Sequence, residues 1–154
     1  MTKTTRIIAF FLVAGGLLGV FSLVLMGLHL AAVVPAVLFV WSIVTGTALW
    51  RGMPLGFRSA KILFALQVPV FSLARLTYEF STLLSFRLMI GNTSHYIGGN
   101  IGSSGNIYVF PQSQGVMFGI NIVAVLALLC LIRATHSAST KVRSGARLVE
   151  AGCR

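Results

Sequence analysis

The segment IIAFFLVAGGLLGVFSLVLMG, residues 7–27, decides the class of this protein, because its 21 consecutive residues carry no charge. A helix of about 20 residues, rising roughly 1.5 Å per residue, crosses a hydrocarbon core about 30 Å thick. Residues 30–49 form a second uncharged run, and only Leu28 and His29 separate the two runs. The two runs therefore predict a hairpin of transmembrane helices.

The composition of the whole chain agrees with a membrane class. Of 154 residues, 56% are apolar and 9% are charged, and the mean hydropathy is +0.93. A soluble domain of this length has too little interior to hide so much apolar surface. Two further apolar segments complete the prediction of an all-α integral membrane protein, whose four transmembrane helices lie at about residues 7–27, 30–50, 61–84 and 115–133.

The positions of lysine and arginine predict the orientation of the chain, because short cytoplasmic loops retain these cations. Ten of the 12 cations precede the first segment, lie between the second and third, or follow the fourth; only Arg75 and Arg87 lie on the other side. Both termini are therefore expected in the cytoplasm. The first apolar run exceeds the roughly 7 to 15 residues of a signal-peptide core, which favours an uncleaved helix. The short loops are typical of a multi-pass protein of the bacterial inner membrane.

The net charge of +10 raises the question of a nucleic-acid partner. Because the cations follow the topology, we expect the lipid bilayer as partner and no nucleic acid. His29, His95 and His136 fall in two compartments, no carboxylates are paired, and the two cysteines have no CxxC spacing. The sequence thus predicts no enzyme and no catalytic, cofactor-binding or metal-binding residues.

The segment between the third and fourth predicted helices, about residues 85–114, is expected to be an extracytoplasmic loop. It is rich in Gly, Asn and Ser, and the repeated Gly-Asn-Ile at residues 99–101 and 105–107 favours a small β-hairpin. For residues 82–90, an extension of the third helix and an interfacial helix remain two open interpretations. Residues 134–154 are predicted to form a basic cytoplasmic tail.

The third predicted helix carries the polar residues that cost most in a bilayer. One broad helical face carries Gln67, Arg75, Glu79 and Arg87, and we expect it to point inward. The candidate hydrogen-bond partners of Gln67 are Asn121, Ser42 and Thr45. Arg75 and Glu79 form either a structural ion pair or a proton or ion pathway. Pro69 is expected to kink this helix.

Small residues with GxxxG spacing predict close helix packing. The pairs are Gly15 with Gly19 and Gly115 with Gly119. Such spacing lets two backbones approach each other, either within one chain or between protomers.

Two functions follow as hypotheses. The first is a non-enzymatic subunit, scaffold or sensor that assembles with itself or with a partner membrane protein. The alternative is a small homo-oligomeric channel or transporter for ions or solutes, which uses the polar face of the third helix.

Overall fold

The computed structural model describes residues 3–26, 32–73, 76–91, 95–109 and 116–135. This part of the chain contains four helices and one six-stranded antiparallel sheet. The helices are α1 (Lys3–Met26), α2 (Val33–Trp50), α3 (Pro54–Gln67) and α4 (Ile122–Thr135). The strands are β1 (Pro69–Leu73), β2 (Leu76–Ser81), β3 (Leu84–Gly91), β4 (His95–Ile101), β5 (Ser104–Val109) and β6 (Met117–Asn121).

The prediction of an all-α protein with four transmembrane helices is wrong. The third predicted helix, 61–84, is helical only as far as Gln67, and the fourth, 115–133, contains β6 before it becomes helical at Ile122. The expected loop 85–114 carries β3, β4 and β5 instead. Two helices, α1 and α2, are long and apolar enough to cross a membrane, which is compatible with membrane association.

Pro69 explains why α3 ends where it does. Its nitrogen carries no hydrogen to donate to the carbonyl of Ala65, and its ring clashes with that carbonyl in a continuing helix. The amide of Val68 donates to the Ala65 oxygen instead, at 3.4 Å. The residues that follow, PVFSL and then LTYEFS, are rich in aromatic and β-branched side chains, which fit a pleated sheet. The proline therefore ends the helix rather than kinking it.

Strands β2 and β3 are two arms of one bent strand, and β5 and β4 are the arms of its partner. One register runs without a break from Leu76 opposite Val109 to Ile90 opposite His95. Leu83 (φ +64°) and Gly102 (φ +140°) lie at the bend, where the Gly102 amide donates to the Leu83 oxygen at 2.7 Å. The repeated Gly-Asn-Ile triplets thus lie on β4 and β5, which pair with β3 and β2 rather than with each other.

The sheet curls because β1 and β6 join the two arms of the bent strand from the other side. The strand order is β4-β3-β6-β1-β2-β5. Strands β3 and β2 are therefore connected twice, once along the chain through the bend and once through hydrogen bonds to β6 and β1. This double connection turns the sheet inward and gives it an inner and an outer face.

The four helices pack together at one end of the molecule. Their apolar core is formed by Ile8, Ala9, Leu12, Leu49, Ala60, Phe64, Ala124 and Leu131. Six of the seven lysines and arginines in the described residues lie on the helices and the turn at this end, which we call the basic end: Lys3, Arg6, Arg51, Arg58, Lys61 and Arg133. There Lys61 Nζ donates to Thr135 Oγ1 at 2.8 Å and ties α3 to α4.

The sheet packs against the parts of α1 and α2 that lie away from the basic end. The bend at Leu83 contacts α1 at Gly15, and the rings of Phe39 and Phe80 lie 5.5 Å apart between α2 and β2. Gly15 is 12 residues beyond Lys3, which places this contact about 18 Å along α1. The sheet therefore begins about halfway along the α1–α2 hairpin.

Candidate functional site

The curled sheet has an apolar outer face and a polar inner face. Along β3, the side chains of Leu84, Phe86, Leu88 and Ile90 are exposed, whereas Ser85 between them is buried and the Arg87 side chain is only 14% exposed. In a water-soluble sheet with one solvated face, the alternation runs the other way, with apolar residues inside. The sheet thus encloses its polar groups and presents apolar ones to its surroundings.

An ion pair lies at the centre of the inner face. Arg87 Nη1 on β3 lies 2.6 Å from Glu79 Oε2 on β2, and the Glu79 side chain is 17% exposed. Through β6 and β1 these strands are three steps apart, about 14 Å in a flat sheet. The two side chains can meet only because the sheet curls. The ion pair therefore links β3 to β2 across the inner face.

Two further polar side chains lie beside this pair. Ser85 Oγ accepts hydrogen bonds from Arg87 Nε and Nη2 at 3.3 and 3.2 Å. Asn121 lies directly opposite Arg87 in the β3–β6 ladder. Its Oδ1 accepts from the Phe86 amide at 3.4 Å and from the Val123 amide at 3.2 Å. The second bond caps the first turn of α4, so Asn121 couples the sheet to that helix.

Gln67 and Thr82 form a second buried polar contact, where α3 meets the bend of the sheet. Gln67 Nε2 donates to Thr82 Oγ1 at 3.1 Å, and Gln67 Oε1 lies 3.2 Å from the same hydroxyl. The Asn121 amide donates to the Val68 oxygen at 2.9 Å, which joins this contact to β6. We call Gln67, Glu79, Thr82, Ser85, Arg87 and Asn121 together the polar interior.

A cavity of about 70 Å³ adjoins the Gln67–Thr82 contact. Apart from these two residues its lining is apolar: Ile8, Phe11, Phe64, Leu84, Val123, Ala124 and Ala127. Its volume is that of a few methyl groups, and the Glu79–Arg87 pair does not line it.

The structure places three of the four residues predicted for a polar network in the polar interior. They are Gln67, Glu79 and Asn121. Gln67 bonds to Thr82 there rather than to Asn121, whose side-chain oxygen accepts from the Phe86 and Val123 amides. Arg75 lies outside the described residues, and Glu79 forms an ion pair with Arg87 in the structure.

The predicted packing glycines lie in different settings. A Cβ added at Gly15 would lie 2.9 Å from Thr82 Cβ, so the absence of a side chain lets the sheet approach α1. Gly19 lies against the ring of Phe39 on α2. Gly119 lies on β6, against the Leu88 carbonyl of β3, and Gly115 is outside the described residues. The glycine contacts that are described thus lie within one chain.

Sequence reasoning placed Arg87 on an inward polar face but missed its pairing with Glu79, and it missed the roles of Ser85 and Thr82. A signal for Arg87 and Ser85 is present, because residues 84–90, LSFRLMI, alternate strictly between outward apolar residues and the inward Ser85, Arg87 and Met89. A period of two residues indicates a strand. The apolar length of the whole region favours a helix and obscures this alternation.

In the polar interior, the charges of Glu79 and Arg87 compensate each other. Its single acid and single base pair with each other, and its amides and hydroxyls bond to neighbouring groups. Among the residues that the structure describes, no three His, Cys, Asp or Glu side chains come close enough to hold a metal ion. The arrangement is suited to holding the sheet, α3 and α4 in one geometry.

Comparisons with protein-family models, with curated proteins and with solved structures find no match to this chain.

Proposed function

We propose that this chain is a non-enzymatic membrane subunit, a scaffold that assembles with itself or with a partner membrane protein. One observation carries the proposal: the outer surface is apolar over the helices and the sheet alike, while the sheet turns its polar groups inward. Extended apolar surfaces are rare on soluble monomers, and they mark contact with lipid or with other proteins.

Both the helices and the sheet expose large apolar side chains. Large exposed apolar side chains on the helices include Phe10, Phe21, Leu25, Val37 and Val44. Those on the sheet include Phe86, Leu88, Ile97, Ile101, Phe118 and Ile120. Such side chains are stable against lipid tails, whereas in water each exposed methylene forgoes about 0.8 kcal/mol.

In the proposed placement, α1 and α2 cross the membrane as a hairpin with the basic end in the cytoplasm. The gathering of six cations at that end supports this orientation. α3 has 14 residues, a length of about 21 Å, and it ends partway across the hydrocarbon core. Because the sheet begins at the same depth, its outer face would contact the tails of the outer leaflet.

A labelling experiment tests this placement. In a chain carrying Cys130→Ala and Cys153→Ser, single cysteines are introduced as Phe86→Cys on the outer face of β3 and as Met53→Cys at the α2–α3 turn. We expect a membrane-impermeant maleimide to label Met53→Cys from the cytoplasmic side only. Phe86→Cys should resist labelling from both sides and react after detergent is added.

Two results would contradict the placement. Rapid labelling of Phe86→Cys from the outer aqueous phase would show that the sheet lies outside the lipid. Release of the protein from vesicles by alkaline carbonate would show that α1 and α2 do not span the membrane. Intact folding of Phe86→Cys is checked by its thermal midpoint in detergent, which should match that of the Cys-free chain.

A channel or transporter is the second candidate, and the enclosed polar interior is the observation that favours it. Glu79 is held by Arg87 at 2.6 Å, however, so a passing cation would have to displace an arginine. Purified protein in liposomes should therefore show no ion flux above that of empty vesicles. Flux that is present in the native chain and lost in Glu79→Gln would overturn the subunit in favour of transport.

A further inference from the structure

The edge strand β4 has a row of backbone amide and carbonyl groups that would lack hydrogen-bond partners if the sheet lay in lipid as proposed. β4 is the last strand in the sheet order, and in the described residues it pairs on one side only, with β3. In an antiparallel pair, alternate residues direct their amide and carbonyl groups to the opposite edge. Lipid tails cannot hydrogen-bond to such groups, and each unsatisfied group costs several kcal/mol in the hydrocarbon core.

The sequence of β4 carries none of the features that protect an exposed edge. Its seven residues, HYIGGNI, include no lysine, arginine, acid or proline. Soluble sheets blunt their edges with charges, proline or bulges, because a bare edge pairs with the next chain it meets. The other edge strand, β5, contacts α2, which leaves β4 as the more open edge.

Resting on the proposed membrane placement, we propose that two copies of this chain pair through β4, antiparallel and about a two-fold axis at Gly99. In this register Ile97 of one copy lies opposite Ile101 of the other, twice. These two side chains are 68% and 83% exposed, and that of Ile101 is the most exposed large apolar side chain in the described residues. Directly opposed apolar pairs on one face are the contacts that stabilise antiparallel sheets.

A second copy satisfies the edge better than the other candidate occupants. Lipid covers the isoleucines but not the backbone groups. The strand is free of formal charge, so two copies with a net charge of +10 each meet here without opposed cations. The symmetry also makes each contact occur twice, which is the usual basis of a homodimer. A different protein with a bare strand is the remaining occupant, and the experiment separates it.

Gly99 provides the most direct probe, because a residue on the axis lies opposite itself. The Cα atoms of directly opposed residues are about 4.5 to 5.5 Å apart, within the range that a disulfide spans. A Cβ at Gly99 would lie 3.6 Å from Phe86 Cδ2 and from the Ser85 oxygen, which are ordinary contacts, so cysteine fits there. The variant is Gly99→Cys in the chain with Cys130→Ala and Cys153→Ser, purified and placed in liposomes.

After oxidation with copper phenanthroline, we expect Gly99→Cys to form disulfide dimers about tenfold more than Ile120→Cys, an exposed residue on the central strand β6. Ile97→Cys and Ile101→Cys should cross-link when mixed and far less when alone, which fixes the register. Ile97→Lys introduced into Gly99→Cys should reduce the dimer about tenfold, because it brings charge to the edge.

Cross-linking of Gly99→Cys no greater than that of Ile120→Cys would overturn the dimer. The same liposomes are floated on a density gradient before oxidation. If the protein floats and no dimer forms, the edge proposal fails and the membrane placement stands. If the protein does not float, the placement itself has failed. Dimers that form in cell membranes only with another polypeptide would assign the edge to a different partner and overturn pairing between copies.

Discussion

The helical end and the curled sheet have the same kind of exterior and opposite interiors. At the helical end most buried side chains are apolar, such as Leu12, Leu49 and Phe64, and a few hydroxyl groups lie among them. Inside the sheet most of the enclosed groups are polar, namely the buried Ser72, Ser85 and Asn121 and the largely buried Glu79–Arg87 pair, and Val70 is a buried apolar neighbour. One chain thus combines an apolar core and a polar core under a single apolar surface.

The difference shows how each half is held together. Apolar packing is non-directional and tolerates adjustment, so the helical end depends on buried area and volume. Hydrogen bonds and ion pairs have fixed geometry, and each unsatisfied group is costly, so the sheet depends on every polar partner being present. Substitutions in the polar interior should therefore have sharper effects than substitutions of similar size among the helices.

The largest effect is expected for Arg87→Met, which tests whether the sheet depends on its polar partners. The substitution removes the guanidinium that lies 2.6 Å from the Glu79 carboxylate inside the sheet. Loss of one partner from a largely buried ion pair costs about 3 to 5 kcal/mol. The free energy of unfolding, measured by denaturant titration in detergent micelles, should fall by that amount.

Two controls accompany this measurement. The double variant Glu79→Gln with Arg87→Met removes both charges and should recover most of the loss, because the carboxylate is removed together with the guanidinium. Arg58→Met removes an exposed cation at the basic end and should change the free energy by less than about 0.5 kcal/mol. Equal losses for Arg87→Met and Arg58→Met would show that the ion pair contributes nothing.

The sequence predicts α1 and α2 well and the sheet poorly, for a physical reason. Uncharged runs of about 20 residues have few alternatives to a long helix, and α1 and α2 lie over the predicted segments 7–27 and 30–50. In residues 61–84 the same apolar composition is compatible with helix or strand. The choice there depends on Pro69, which allows either a kink within a helix or the end of one.

The polar interior illustrates the same limit at the level of single residues. Gln67, Glu79 and Asn121 stand out because polar groups in an apolar chain need partners. The identity of each partner depends on the strand pairing, which no local pattern specifies. Arg87 meets Glu79 only because β1 and β6 draw the two arms of the bent strand together.

The next effect in size is expected where the two halves meet, at Gly15. Gly15→Val places a Cβ 2.9 Å from Thr82 Cβ and from the Leu83 amide nitrogen, so the sheet must move away from α1. Overpacking of this kind costs about 2 to 3 kcal/mol. The thermal midpoint in detergent should fall, whereas Leu17→Val, on the exposed side of α1, should leave it nearly unchanged. No fall for Gly15→Val would argue against this helix–sheet contact.

Asn121→Leu tests the coupling of the sheet to α4. It removes the Oδ1 atom that accepts from the Phe86 and Val123 amides, and the latter bond caps the helix. We expect a loss of about 2 kcal/mol in the free energy of unfolding. Asn121→Ser keeps a capping oxygen and should lose less. Asn100→Leu changes an exposed asparagine of the same sheet and serves as the matched control, with a change of less than about 0.5 kcal/mol.

The smallest effects are expected for two substitutions on the same helix, which should change the free energy of unfolding in opposite directions. Ser42 and Thr45 are both buried on α2. Ser42 Oγ donates to the Leu12 oxygen at 2.9 Å, whereas Thr45 Oγ1 has no hydrogen-bond partner among the residues that the structure describes. Ser42→Ala should therefore lower the free energy of unfolding by about 1 kcal/mol. Thr45→Val removes a stranded hydroxyl at nearly constant volume and should raise it by about 1 kcal/mol. If both substitutions change the free energy of unfolding in the same direction, hydrogen bonding does not decide how these buried hydroxyls affect the stability of the helical end.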